Sequence, residues 1–274
     1  RLFFTATPRI YSERVKKIAH IYDKEIASMD SLEDFGPEFH HLSFGEAIEK
    51  KLLTDYRVVV TAIRNSSIHN LIKESTLIKK NDYVTNASAL ANSVSVLRAI
   101  KKYNLKRVIS YHSRLKGARD FKTQLSNTHE FIINKEMKGR RINYDYIDGS
   151  MNASKRSEKI SFLEDLRGID TGIITNARCL QEGIDISKLD GITFVDPKSS
   201  EIDIIQSIGR VIRKSNPKDK GTILIPLFIN DDDDPETAID NSQFSHIGKV
   251  LRSLRAHDER LGEEIDQYRR SLTT

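Results

Sequence analysis

From Ala87 to Phe228 the chain alternates between short apolar runs rich in β-branched residues and longer stretches of helical periodicity. This alternation constrains the fold more than any other feature. Arg107 to Tyr111, Tyr144 to Ile147, Gly172 to Thr175, Ile192 to Val195 and Thr222 to Phe228 read as strands. Helices are expected at 87–103, 117–125, 153–166 and 202–213. An earlier dense run, Arg57 to Ile63, reads as one more strand. Buried strands separated by helices form a parallel α/β sheet flanked by helices. In such sheets ligands bind beyond the carboxyl ends of the strands.

The flanks read differently. Leu2 to Ala6 is an apolar run expected to be a buried strand, ended by Pro8, with a helix over Val15 to Ile26. The chain opens in the middle of this pattern without Met, which is expected of a piece whose N-terminal neighbour lies elsewhere. The stretch 31–56, with Gly36-Pro37 and His40-His41, reads as a linker. The segments 65–86 and 126–141 have no assigned role; Lys135, Lys138, Arg140 and Arg141 in the latter read equally as a nucleic-acid patch or a solvated loop. Asp231 to Asp234 followed by Pro235 reads as a solvated linker, because adjacent carboxylates on a loop do not converge on one metal. Beyond it, residues 236–274 carry an apolar helical face.

Composition narrows the classes. No apolar run approaches the roughly 18–20 residues of a membrane span, and the longest, Thr222 to Ile229, contains Pro226. A single cysteine, Cys179, excludes a disulfide framework and a cysteine-based zinc module and fits a reducing, cytoplasmic setting. The excess of 44 basic over 39 acidic residues permits a polyanionic partner without requiring one.

Five short constellations carry chemistry. On the expected helix 202–213, Ile202, Ile205, Ile208 and Ile212 form an apolar stripe, and Gln206, Arg210 and Arg213 a polar one beside it. Two planar, permanently charged guanidinium groups with Gly209 between them suit a phosphate cluster; the plain alternative is a helix with surface arginines. Thr175 ends a strand whose loop leads to Gly183-Ile184-Asp185, where Thr175 can donate to a phosphate and Asp185 accept from a ribose hydroxyl. Asp148-Gly149-Ser150-Met151 precedes Asn152, a natural N-cap for a helix bearing Lys155 and Arg156. Tyr111-His112-Ser113 closes another strand, and Thr5-Ala6-Thr7-Pro8 is uninformative by itself.

In order and spacing these five resemble the C-terminal half of a superfamily 2 helicase or translocase, over roughly residues 1–229. Thr5 to Pro8 is similar to motif III, Val108 to Ser113 to motif IV, and Asp148 to Met151 with Arg156 to motif IVa. Thr175 to Asp185 is similar to motif V and Gln206 to Arg213 to motif VI. The flavour is that of DEAD/DEAH-like helicases near the type I and type III restriction translocases. The resemblance implies a RecA-like parallel sheet as the second lobe over 57–229, with 1–30 closing a first lobe. It implies Arg210 and Arg213 as arginine fingers, with Gln206 beside the γ-phosphate of ATP. It implies Gly183 and Asp185 in the nucleotide cleft, Ser113, Gly149, Arg156 and Thr175 on the phosphates of one tracked strand, and Thr5 and Thr7 as coupling residues.

The departures matter too. Ile212 stands where many relatives have Gly, and Ser207 where many have Arg. No Gly-x-x-x-x-Gly-Lys-Ser/Thr loop and no Asp-Glu-Ala-Asp-type box occurs in these residues. The groups for the β-phosphate and Mg2+ are therefore expected in an upstream RecA-like lobe of the same protein, and this chain alone is expected to be inactive as an ATPase. DNA is the expected partner, with nuclease or specificity subunits as further ones. Two alternatives stay open: a degenerate lobe kept as a nucleic-acid or protein-binding module, and the motor of a restriction-type nuclease whose nuclease lies outside these residues. Within them, Asp196-Pro197-Lys198 reads as a strand end rather than a nuclease site.

Overall fold

The computed structural model describes residues 2–5, 8–68, 87–132, 140–166, 170–177, 186, 188–196, 201–215, 218–232, 245 and 248. The chain divides into two compact units, Arg1–Ser43 and Phe44–Thr274.

The first unit holds two helices, α1 (Glu13–Ile21) and α2 (Leu32–Phe35). Residues 2–5 form no strand, and Leu2, Phe3 and Phe4 are exposed, so the expected buried strand over Leu2 to Ala6 is not present in them. A strand needs a neighbour for its backbone groups, and no strand is described in this unit. Helix α1 stops at Ile21 rather than Ile26. Asp23 takes a left-handed conformation (φ 51), and the Lys24 amide closes back on the Ala19 carbonyl at 2.9 Å. Ser28 Oγ accepts from the Tyr11 amide and donates to Asp30, which also holds Lys16 at 2.7 Å.

The second unit begins with α3 (Phe44–Glu49), the later half of the expected linker. Ala47 and Ile48 are buried, and Ile48 belongs to the main core, so this stretch is built into the unit. Six strands follow: β1 (Asp55–Arg64), β2 (Arg107–His112), β3 (Ile142–Asp148), β4 (Thr171–Ala177), β5 (Gly191–Asp196) and β6 (Lys220–Ile229). Every pairing is parallel, in the order β1-β6-β5-β2-β4-β3. Among the described residues, α4 (Ala87–Lys102), α5 (Leu115–Ile132), α6 (Ala153–Glu164) and α7 (Glu201–Val211) lie between them. Strand alternation sorts side chains to two cores. Ile109, Tyr111, Ile174, Ile223 and Ile225 pack with α6 and α7, whereas Val108, Ile173 and Leu224 pack with α4 and α5. Burial on both faces explains the near-continuous apolar character of these strands.

Helix ends follow local rules. Asn152 Oδ1 accepts from the Lys155 amide at 2.9 Å, the N-cap read from the sequence. Helix α4 closes through Asn104 at φ 52, with the Leu105 amide returning to the Ile100 carbonyl. Helix α5 runs on to Ile132 and takes in the first part of the 126–141 stretch. Of the basic residues there, Arg140 donates to the carbonyls of Ile100 and Leu105, and Arg141 pairs with Asp170 at 2.9 Å. Both are thereby tied at the amino-terminal edge of the sheet, opposite the ligand edge; Lys135 and Lys138 lie outside the described residues. The 65–86 stretch is described only to Ile68, as a helical turn, and most of 236–274 also lies outside.

At the amino-terminal edge, half-buried Asp190 accepts from the amides of Lys106 (2.9 Å) and Arg107 (2.8 Å). Lys218 donates to the carbonyls of Leu189 and Val211. Burial pushes the Lys218 ammonium down to about 8, against the pull of Asp190.

Candidate functional site

Parallel strands place all their carboxyl ends on one edge. The register aligns Asp148 of β3, Ala177 of β4, His112 of β2 and Asp196 of β5 in one row. Ser113 and Gly149 lie one residue beyond this row and Thr175 two residues before its β4 member. Strand β5 ends at Asp196, and the helix carrying Gln206 and Arg210 begins at Glu201. Tertiary structure thus gathers three of the five constellations, those of Ser113, Asp148-Gly149 and Thr175, towards one edge of the second unit, while α7 starts from that edge and ends with Arg210 and Val211 beside Lys218 at the opposite, amino-terminal edge. The fifth lies in the first unit, where Thr5 is exposed; Thr7 lies outside the described residues, as do Gly183, Asp185 and Cys179.

Helix α7 is seated by Ile204, Ile208 and Val211, with Ile212 just past its end; all four are buried. Ile202 and Ile205 are only half-buried. Gln206 and Arg210 are half-buried on the polar side, one turn apart. Arg213 is not on this helix. The helix ends at Val211, and Arg213 forms an antiparallel bridge with Leu53. The Thr54 amide donates to the Ile212 carbonyl at 2.7 Å, the Thr54 hydroxyl to the Arg213 carbonyl, and Lys214 Nζ to the Lys51 carbonyl. These partners from the 51–54 stretch draw the chain out of the helix, so the expected stripe of Gln206, Arg210 and Arg213 is broken after Arg210. The Arg213 side chain is exposed. A Cβ on Gly209 would meet nothing within 4 Å, so packing among the described residues does not call for glycine there. Ser207 is buried and donates to the Asp203 carbonyl at 2.8 Å, which fits a small hydroxyl rather than an arginine at this position.

Thr175 is the clearest departure. The resemblance puts its hydroxyl on a strand phosphate, yet it is 1% exposed and donates to the Ala118 carbonyl at 2.8 Å. It ties β4 to α5 instead. A β4 buried over its whole length left no exposed face for that hydroxyl.

After β3, Asp148 organises the turn. Its Oδ1 accepts from the Ser150 amide (2.9 Å) and hydroxyl, and its Oδ2 from Arg119 (2.9 Å). The Ser150 hydroxyl foremost, then Arg119, hold this carboxyl below its usual range. Gly149 is exposed at the turn, and Arg156 is half-buried on α6, its Nε closed off without a hydrogen-bond partner among the described residues. Next to the turn opens a cavity of about 810 Å³, lined among others by Arg119, Tyr146, Ser150, Lys155 and Lys159. Arg119 and Lys159 both lie over the Tyr146 ring, at 5.2 and 5.3 Å, and Lys159 also pairs with Asp145 at 2.6 Å. The aromatic and Arg119 were not singled out in the sequence.

At the end of β2, His112 is 4% exposed, with Nε2 2.8 Å from the Ser110 hydroxyl and its ring 5.0 Å from that of Phe121. Burial brings its pKa from 6.5 down to about 4, although Asp196 pulls it up. The folded protein therefore holds a neutral imidazole where the unfolded chain takes a proton below pH 6.5. Stability is full above that value and falls as pH drops towards 4, by at most about 3 kcal/mol. In His112→Gln this part of the pH dependence should vanish, read as urea midpoints at pH 7 and 4.5; an unchanged slope would refute the assignment.

The Ser113 hydroxyl donates to Asp196 Oδ2 at 2.5 Å. Asp196, read from the sequence only as a strand end, reaches this place through a register shift of β5 against β2 between Tyr111 and His112. An acidic residue closing a buried strand was the available signal.

Residues 92–215 match the helicase conserved C-terminal domain. Over 267 residues the chain is 25% identical to the probable helicase A859L of African swine fever virus (isolate Tick/South Africa/Pretoriuskop Pr4/1996). The match covers 97% of this chain and 26% of that protein. Among solved structures it is similar to the ATP-dependent Type ISP restriction-modification enzyme LlaBIII bound to DNA, with 30% identity and a TM-score of 0.77. That match covers 94% of this chain and 18% of the enzyme. The fold is shared with a fragment of a putative HsdR subunit of a type I restriction enzyme from Vibrio vulnificus YJ016. There the identity is 15% and the TM-score 0.51, over 74% of this chain and 38% of that one. The chain thus spans about a quarter of the length of the curated relatives it matches. The family match over residues 92–215 and the six-stranded parallel sheet with flanking helices make the second unit similar to the RecA-like C-terminal lobe of superfamily 2 helicases. No helix among the described residues is long and apolar enough to cross a membrane, and none of their His, Cys, Asp or Glu residues form a group of three that could hold a metal ion.

Proposed function

We infer that this chain is the C-terminal motor lobe of an ATP-dependent DNA translocase or helicase working in the cytoplasm. The observation that carries the reading is the shared edge: strand ends bearing Ser113 and Gly149 stand in one row with Asp196, from which the chain runs into the helix of Gln206 and Arg210. The carboxyl edge can then hold a nucleic-acid backbone, and α7 leads from it to Arg210 at the opposite edge, from which a nucleotide is addressed. Arg210 and Arg213 approach the γ-phosphate of ATP and stabilise the charge that develops as it is transferred. Gln206 orders the surroundings of the attacking water, and Gly183 and Asp185 line the cleft, with Asp185 at the ribose. Ser113, Gly149 and Arg156 hold backbone phosphates, contacts that carry no sequence information. Thr175 supports them by fixing β4 to α5. Thr5 and Thr7 couple nucleotide state to strand movement. ATP enters with Mg2+, whose ligands belong to an upstream RecA-like lobe. The half-buried Gln206 and Arg210, beside a Gly209 whose Cβ would meet none of the described residues within 4 Å, fit a polyphosphate.

The likeness to an ATP-dependent restriction-modification enzyme bound to DNA favours DNA as the track and a restriction-type assembly, with nuclease or specificity parts, as the setting. The test is ATP turnover by the 274-residue chain alone and by a protein carrying the upstream lobe, each with single-stranded DNA, duplex DNA and RNA. The expected result is no turnover by the chain alone and DNA-stimulated turnover by the two-lobe protein. Hydrolysis by the chain alone that Arg213→Ala abolishes, or none by the two-lobe protein with any nucleic acid, would overturn the reading.

A further inference from the structure

We propose that Asp196 is a positioning residue that competes with a nucleic-acid phosphate for the Ser113 hydroxyl and so links strand binding to the placement of helix α7. The inference rests on the motor reading above. A serine hydroxyl has one proton to donate. Here it goes to Asp196 Oδ2 at 2.5 Å, leaving only lone pairs on Ser113 Oγ for an approaching phosphate. The carboxylate adds a like charge at the same spot. A phosphate that takes the Ser113 proton therefore displaces Asp196.

Displacement is local in sequence but not in effect. Asp196 is the last residue of β5, and residues 197–200 alone separate it from α7. The bond between Ser113 and Asp196 spans two neighbouring strands and fixes the point from which the chain departs towards Gln206 and Arg210. On the side of α5, Asp196 faces Gly117, which has no side chain to crowd it. A Cβ on Gly117 would stand 3.9 Å from Asp196 Oδ2 and 3.9 Å from His112 Nδ1, ordinary contact rather than crowding. The neighbouring His112 is held neutral by burial and does not neutralise the carboxylate. The device holds the approach to α7 in one placement without nucleic acid and releases it when a strand phosphate binds, while the rest of the helix keeps its seat on Ile204, Ile208 and Val211.

The experiment uses the two-lobe protein and compares wild type with Asp196→Asn, Asp196→Ala and Ser113→Ala. ATP turnover is followed against DNA concentration, and thermal midpoints report folding. Asp196→Asn keeps an acceptor for Ser113 but removes the charge. It should lower the DNA concentration for half-maximal stimulation about tenfold, the scale of one charge-assisted contact. Asp196→Ala should in addition raise turnover without DNA several-fold, because the bond that holds the end of β5 to Ser113 is lost. Ser113→Ala should raise the DNA-free rate like Asp196→Ala while weakening DNA binding, a split that a purely structural role for the pair does not produce. DNA-stimulated wild type with all three variants unchanged in both parameters overturns this inference alone. A wild type that DNA does not stimulate overturns the motor reading and the inference with it.

Discussion

Replacing Arg210 and Arg213 together by alanine should lower DNA-stimulated ATP turnover of the two-lobe protein by about a thousandfold or more, the scale of an arginine finger. The reason is electrostatic. Guanidinium groups preorganised at the transferring phosphoryl group meet its developing charge without reorganising solvent. The two single variants should differ, because the structure places the two arginines differently. Arg210 is carried by α7, half-buried above a seat of Ile208 and Val211. Arg213 stands past the helix end, on a backbone held by Thr54 and bridged to Leu53. Lysine at either position should not restore turnover, since an ammonium lacks the planar fork that addresses two oxygens at once. The measurement is steady-state turnover with saturating DNA, with nucleotide affinity followed separately. A double variant within tenfold of wild type would refute the role of both arginines.

Gly221→Ala should cost about 2–3 kcal/mol of stability, at the upper part of the range for overpacking. A Cβ on Gly221 would stand 2.6 Å from the Val211 carbonyl oxygen and 3.1 Å from its carbon. The obstacle is backbone and cannot be relieved by a rotamer change. The same carbonyl accepts from Lys218 Nζ at 3.0 Å, so any shift disturbs a second contact. Thermal unfolding should drop by about 2–4 °C for each kcal/mol lost. Because the Val211 carbonyl closes the helix of Arg210, the surviving folded fraction should also turn over ATP more slowly. Gly209→Ala is the control: a Cβ there meets nothing within 4 Å, so its thermal midpoint should be close to wild type. Equal midpoints for Gly221→Ala and wild type would refute the close approach of β6 to α7.

The element order was legible because its causes are local. Apolar β-branched runs mark strands, and Asn152 marks the start of α6 through a bond three residues long. Strand limits were read short by one to three residues, since pairing extends a strand past its apolar centre, as at β1 and β6. The end of α1 was read late because left-handed Asp23 closes it through a hydrogen bond that propensity does not foretell, and the end of α5 was read early because the polar run 126–130 interrupts its apolar signal.

Of the candidate site, the sequence alone determined which residue types stand at the carboxyl ends of buried strands, and therefore on which edge chemistry gathers. Gln206 and Arg210 share a helix face for the same reason: both follow from periodicities of a few residues. The tertiary structure decided the rest. It put β1 next to β6 and brought Leu53 and Thr54 against the end of α7, taking Arg213 off the helix. It turned Thr175 inward to Ala118 and joined Ser113 to Asp196 across two strands. Each is a contact between residues dozens to more than a hundred positions apart, made by hydrogen-bonding groups common throughout the chain. Nothing local singles out such a partner; only the packed sheet and helices bring the two groups within reach.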